Sequence, residues 1–178
     1  ARSVLSPPAV PSERMQCTLA SDAVPALNSA QADAFWKLRH SVSESNRRQG
    51  VNFTHDIAVP IAAIPEFIAK AEARITRAYP DAIQCSVTHL GDGNVHYTAI
   101  FSGDRAERAK TDTTGAELAA IVHDIAVDLN GSFAAEHGIG QRYRASLLRY
   151  KSDTELDMFR QLKAAFDPQG ILNPGKLL

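Results

Sequence analysis

Ala82–Phe101, AIQCSVTHLGDGNVHYTAIF, is the stretch that decides the fold. Two β-prone runs flank Gly91–Asn94, GDGN, and strands joined by so short a turn must be antiparallel. If those four residues form the loop and Leu90 faces Val95, hairpin counting sets His89 opposite His96, Val87 opposite Thr98 and Cys85 opposite Ile100. Both imidazoles then share one face, and directly opposed residues have Cβ atoms about 4.5–5.5 Å apart, close enough to converge on one ion. A slip of one residue would separate them. The stretch HLGDGNVH, His89–His96, therefore reads in two ways. It is an ordinary turn in which Asp92 holds its own backbone, or it is half of a metal site.

Upstream, Asn28 and Ser29 are good helix caps before AQADAFWKLRHSVSESNRRQG. There Ala34, Leu38 and Val42 recur four apart beside Phe35, and Gly50 is a stop signal. VNFTHDIAVP reads as a strand ending at Pro60. AIPEFIAKAEARITRAYP places Ile64, Phe67, Ile68, Ala71 and Ile75 on one helical stripe, broken at Pro80. Downstream, TGAELAAIVHDIAVDLNG is a helix with Leu118, Ile121, Val122, Ile125 and Leu129 on one face. In SDTELDMFRQLKAAFDPQG, Ser152 and Glu155 form a capping-box pattern ahead of a stripe of Leu156, Phe159, Leu162 and Phe166. The expected class is α+β: a mainly antiparallel sheet covered by helices, as in a ferredoxin-like plait, with a C-terminal helical segment. Residues 1–27, rich in Pro, Ser and Ala with a strand-like piece at MQCTLA, read as an extended lead-in to a domain over 28–178.

The chain has 178 residues, 44% of them apolar and 22% charged, with a formal net charge of −1. That is one ordinary globular domain, with no electrostatic case for nucleic acid or an anionic membrane. Cys17 and Cys85 fit neither a disulfide framework nor a CxxC motif, which points to a reducing, cytoplasmic compartment; peripheral attachment at the inner face of a membrane is the alternative. No apolar run approaches the roughly 18 residues of a spanning helix. ARSVLSPPAVPSER lacks the features of a signal peptide, and the chain is expected to belong to a longer protein, cut from it or split from it.

Two histidines need a third donor for a tight transition-metal site. The best candidate lies in SFAAEHGIGQRYR, where Glu136 and His137 precede Gly138 and Gly140. Adjacent residues of an extended chain point to opposite sides, so one of the pair is expected to be a ligand while the other works beside it. His40 and His123 read as helix-face residues.

HLGDGNVH, AAEHGIGQRYR and FDPQGILNPGKLL, in this order, closely resemble the C-terminal substrate domain of FAD-linked oxidases acting on 2-hydroxy acids. That family includes D-lactate dehydrogenase, the glycolate oxidase flavin subunit and D-2-hydroxyglutarate dehydrogenase. The resemblance runs from about Ala30 to Leu178. It implies that His89, His96 and Glu136 bind a divalent metal, zinc by family habit, and that His137 is the catalytic base. It also implies that Arg39 in FWKLRHSVS grips the substrate carboxylate, although His40 replaces the usual acidic residue, and that Asn173 in NPGK reaches towards the flavin.

FAD itself is then held mainly by a separate FAD-binding domain. The 178 residues have no nucleotide-binding glycine motif of their own, since no helix follows GDGN. Alone they are expected to bind no flavin tightly and to turn nothing over. Relatives acting on D-2-hydroxyglutarate carry a lysine and an asparagine where this chain has Thr54 and Thr98, which suggests a lactate-like acid rather than a dicarboxylate. The resemblance leaves the electron acceptor unnamed and a homodimer open. Two other readings compete: a non-catalytic remnant binding a metal or small acid, and a metal-dependent hydrolase using Glu136 or His137 as base.

Overall fold

A computed structural model describes residues 24–177. The lead-in, with Cys17 and MQCTLA, lies almost wholly outside the described residues. Contacts divide the chain into two units, residues 1–42 and 43–178. Helix α1 (Ser29–Gln49), whose first 14 residues belong to the first unit, begins where the Asn28 side chain accepts the Gln31 N–H at 3.0 Å, the capping that its short amide side chain favours. Its apolar stripe is not packed away: Phe35 and Leu38 are exposed, and no residue of α1 is buried.

The second unit is α+β. Strand β1 (Val51–Ala58) leads through a short 3₁₀ turn (Ile61–Ala63) into α2 (Ile64–Ala78), followed by β2 (Ile83–His89) and β3 (Asn94–Phe101). Then come α3 (Gly103–Thr111), α4 (Thr114–Asp128), α5 (Arg144–Tyr150) and α6 (Asp153–Phe166). The three strands form one antiparallel sheet in the order β1-β3-β2. Beyond β1 the chain pairs again at an isolated bridge, Ala58 with Ser132. That bridge lies on the edge of β1 away from β3, where a further strand of the sheet would pair.

The sheet has two unlike faces because side chains alternate along each strand. Phe53, Ile57, Val95, Tyr97, Ala99 and Phe101 face one side and form the core with Ile64, Phe67, Ala71 and Ile75 of α2 and Leu118, Val122 and Ile125 of α4. The apolar stripes expected for α2 and α4 are the packed ones. The other face carries Thr54, Asp56, His96, Thr98 and His89. A smaller cluster of Phe133, Leu147 and Leu156 ties the bridge segment to α5 and α6.

The capping box is present: Ser152 accepts the Glu155 N–H and the Glu155 carboxylate accepts the Ser152 N–H. The stripe expected on α6 is only half packed, since Leu162 and Phe166 are 53% and 79% exposed. Periodicity spaces those residues on one face, but no element among the described residues covers Leu162 and Phe166.

The hairpin corrects the expected register. His89 stands opposite Asn94, and Val87 opposite His96. The loop is Leu90–Gly93, closed by the His89 carbonyl, which accepts the N–H groups of Asp92 and Gly93 at 3.3 and 3.2 Å. The slip is two residues, so the histidines keep a common face but sit diagonally rather than directly opposed.

Gly93 pins the loop. Its φ is +80°, and a Cβ there would fall 2.1 Å from the Val59 carbonyl oxygen. Gly93→Ala is expected to destabilise the protein by at least about 1–2 kcal/mol, the cost of a left-handed L-residue alone. Gly91→Ala, where a Cβ meets nothing within 4 Å, should be near neutral in the same denaturant titration.

Candidate metal and substrate site

On the polar face, β1, β3 and β2 align Asp56, His96 and Val87 in one row, and Ala58, Asn94 and His89 in the next. The His89 and His96 rings are 5.4 Å apart and nearly perpendicular. Glu136 and His137 reach the same place from the bridge segment. The ladder that starts at Ala58 and Ser132 gains a residue there: the Ala135 N–H, not that of Ala134, donates to the Asp56 carbonyl at 3.2 Å, while the Ser132 hydroxyl donates to the Ala134 carbonyl. The chain then bends, and Gly138 takes a φ of +71° directly after His137.

That bend overturns the expectation that Glu136 and His137 point apart. His96 Nε2 lies 2.8 Å from Glu136 Oε1, His137 Nε2 lies 3.5 Å from the same oxygen, and the rings of His96 and His137 are 5.3 Å apart. Alternation holds only for extended chain, and this segment is no longer extended.

One ligand atom from each of His89, His96 and Glu136 falls within 4.8 Å of the others, the set named from the sequence. Two imidazole nitrogens and a carboxylate oxygen at that spacing fit a divalent cation such as zinc, manganese or iron, without selecting among them. A second triad, Asp56, His96 and His137, meets the same limit.

Asp56 was missed in the sequence. Its carboxylate is buried, accepting the Asn94 side-chain amide at 2.6 Å on Oδ1 and the His137 backbone N–H at 2.7 Å on Oδ2. Burial pushes its pKa up, but the His137 and Asn94 hydrogen bonds and the two nearby imidazoles outweigh it and hold the carboxyl below its usual range. The available signal was positional: it is the one carboxylate in the three strands.

Beside this row, the hydroxyls of Thr54 and Thr98 bond to one another at 3.0 Å. Arg39, in the first unit, is half-buried on α1 and has no carboxylate partner among the described residues. Asn173 is exposed with a φ of +47°, and its carbonyl accepts the Lys176 N–H at 3.2 Å, opening the NPGK turn. Asp167 holds the tail to α6 by accepting the N–H groups of Ile171 and Leu172 at 2.9 and 3.0 Å and the Lys163 ammonium at 2.5 Å.

With three of the sequence motifs placed, the class follows. The chain belongs to the family described as FAD linked oxidases, C-terminal domain, which it matches over residues 9–177. It is 33% identical over 157 residues to a D-2-hydroxyglutarate dehydrogenase of Xanthomonas citri pv. viticola, covering 88% of this chain and 33% of that protein. It is likewise 33% identical over 156 residues to a D-2-hydroxyglutarate dehydrogenase of Stutzerimonas stutzeri, with the same coverage of 88% and 33%. The mitochondrial D-2-hydroxyglutarate dehydrogenase of Bos taurus is 33% identical over 143 residues, 80% of this chain and 25% of that protein. The chain thus spans a third or less of the length of these relatives. No described helix is long and apolar enough to cross a membrane.

Proposed function

We propose that these residues form the substrate- and metal-binding C-terminal domain of an FAD-dependent oxidoreductase that converts a D-2-hydroxy acid to the 2-oxo acid. The observation that carries this reading is the convergence of His89, His96 and Glu136 within 4.8 Å, with His137 Nε2 beside them, in a member of the FAD-linked oxidase family. A divalent cation held by these three residues would lower the pKa of the substrate's 2-hydroxyl, and the flavin, held mainly by an FAD-binding domain, supplies the hydride acceptor.

The chain's own residues do the rest. His137, neutral, accepts the hydroxyl proton on Nε2. Arg39 offers a planar fork to the substrate carboxylate and fixes its orientation as a lysine would not. Asn173, at its turn in the C-terminal segment, is the residue that by the resemblance would reach towards the flavin. The mutually bonded hydroxyls of Thr54 and Thr98 put no cation on the polar face, which favours a lactate-like acid over a dicarboxylate, although the relatives above are named for D-2-hydroxyglutarate. The 178 residues alone should turn over no substrate.

The test of the metal arm is elemental analysis of the gently purified chain. Near-stoichiometric divalent metal is expected for wild type, with loss of most of it in His89→Ala and His96→Ala. Less than about 0.2 equivalents in wild type would contradict the site, because a preformed set of three ligands should retain its ion.

A further inference from the structure

We infer that Asp56 is the positioning residue of this site: its buried carboxylate stands behind both imidazoles, against the Nδ1 edges of His96 and His137, and turns both Nε2 atoms to the side of Glu136. The inference rests on the metal-site reading above. His96 presents Nδ1 to Asp56 Oδ1 at 3.8 Å and Nε2 to Glu136 Oε1 at 2.8 Å. His137 repeats the pattern, with Nδ1 at 3.5 Å from Asp56 Oδ2 and Nε2 at 3.5 Å from Glu136 Oε1. One carboxylate thus lies behind the two rings and the other in front of them.

A carboxylate facing Nδ1 favours the proton on that nitrogen, and with the nearer Glu136 carboxylate engaged by a cation Nε2 would be left as a lone pair. For His96 that lone pair is what a cation needs, and for His137 it is what a substrate proton needs. Asp56 also fixes where His137 starts, because the His137 backbone N–H donates to Oδ2 at 2.7 Å. The Asn94 amide in turn holds Oδ1 at 2.6 Å.

Only a carboxylate serves all of these at once. Asparagine has the same shape but a single acceptor oxygen, so it cannot accept from both Asn94 and His137, and its amino group would confront a donor. A buried carboxylate is costly unless hydrogen-bonded, and both of its close donors flank or belong to the site.

The experiment uses the chain with zinc alone, its affinity read by competition with a chromophoric chelator. Asp56→Asn should bind zinc about 10- to 100-fold more weakly than wild type, the usual effect of removing a ligand's orienting partner. Asn94→Ala, which keeps the carboxylate and removes only its support, should weaken binding less and remains informative if Asp56→Asn fails to fold. ¹⁵N NMR of the zinc-loaded chain should show the His137 proton on Nδ1 in wild type and a shift towards Nε2 in Asp56→Asn. Unchanged zinc affinity in both variants, with the His137 tautomer unmoved, overturns the inference and leaves the metal site standing. A wild-type chain that takes up no zinc overturns both, and all proteins are then alike.

Discussion

His137→Ala in the full-length protein should lower the rate of flavin reduction by substrate about 10²- to 10⁴-fold, the range for losing a positioned general base. The reason is geometric. His137 Nε2 stands 3.5 Å from the Glu136 carboxylate, beside the proposed ligands, and the ring is more than half exposed, so a bound hydroxyl can reach it. Metal content should be unchanged, since His89, His96 and Glu136 remain. Anaerobic stopped-flow reduction paired with elemental analysis reads both quantities. If the variant loses its metal, His137 is a ligand, and the second triad with Asp56 and His96 becomes the relevant one.

The second large effect concerns stability. His55 and His123 are buried together on the core side of the sheet, rings 5.7 Å apart and nearly perpendicular. Among the described residues His55 has no hydrogen-bond partner on either ring nitrogen, and His123 Nδ1 meets only the Ser146 hydroxyl, at 3.2 Å. Burial, reinforced by the charges of His123 and Arg142, pushes the pKa of His55 down to about 3. Burial likewise lowers His123 to about 4.

Both are therefore neutral in the fold at pH 7, whereas the unfolded chain protonates them near 6.5. The unfolded state binds the extra protons, so stability is full above pH 6.5 and falls as pH drops towards the folded values. By pH 5 His55 alone should cost about 2 kcal/mol, with His123 acting in the same direction. Urea titrations from pH 8 to 5 should show this loss. His55→Phe, which fills the site without a titrating group, should flatten it by up to one proton's slope, and an unchanged slope would contradict the assignment. Asp56 adds a separate loss at lower pH: its lowered carboxyl pKa stabilises above the ordinary carboxylate range and ceases to as pH falls through it.

Much of the fold was legible because local pattern and global packing agree. The alternation of β2 and β3, the stripes of α2 and α4, and the Ser152–Glu155 cap are properties of neighbouring residues. The hairpin register was not, because the loop is set by Gly93 lying against the Val59 carbonyl, a contact between distant residues. The two-residue slip cost the direct opposition of His89 and His96 but not their shared face. Helices α3 and α5 escaped notice because they bury little: Ala106 and Ala109 in one, Leu147 in the other.

At the site, the sequence named His89, His96, Glu136 and His137, and the structure brings all four together. It misjudged the directions of Glu136 and His137, since the extra residue after Ser132 and the bend that follows have no local signature. Asp56 was invisible for the opposite reason: an aspartate in a strand looks like a poor strand former until the donors that require it, 38 and 81 residues away, are folded around it. Arg39 and Asn173 rest on the resemblance.

The most direct test of the central claim is anaerobic mixing of the full-length protein with D-2-hydroxy acids while the flavin absorbance is followed. The expected result is a flavoprotein bleached by at least one of them, with bleaching slowed about a hundredfold or more in His137→Ala. A full-length protein with no flavin absorbance, or one that no D-2-hydroxy acid reduces, would contradict it.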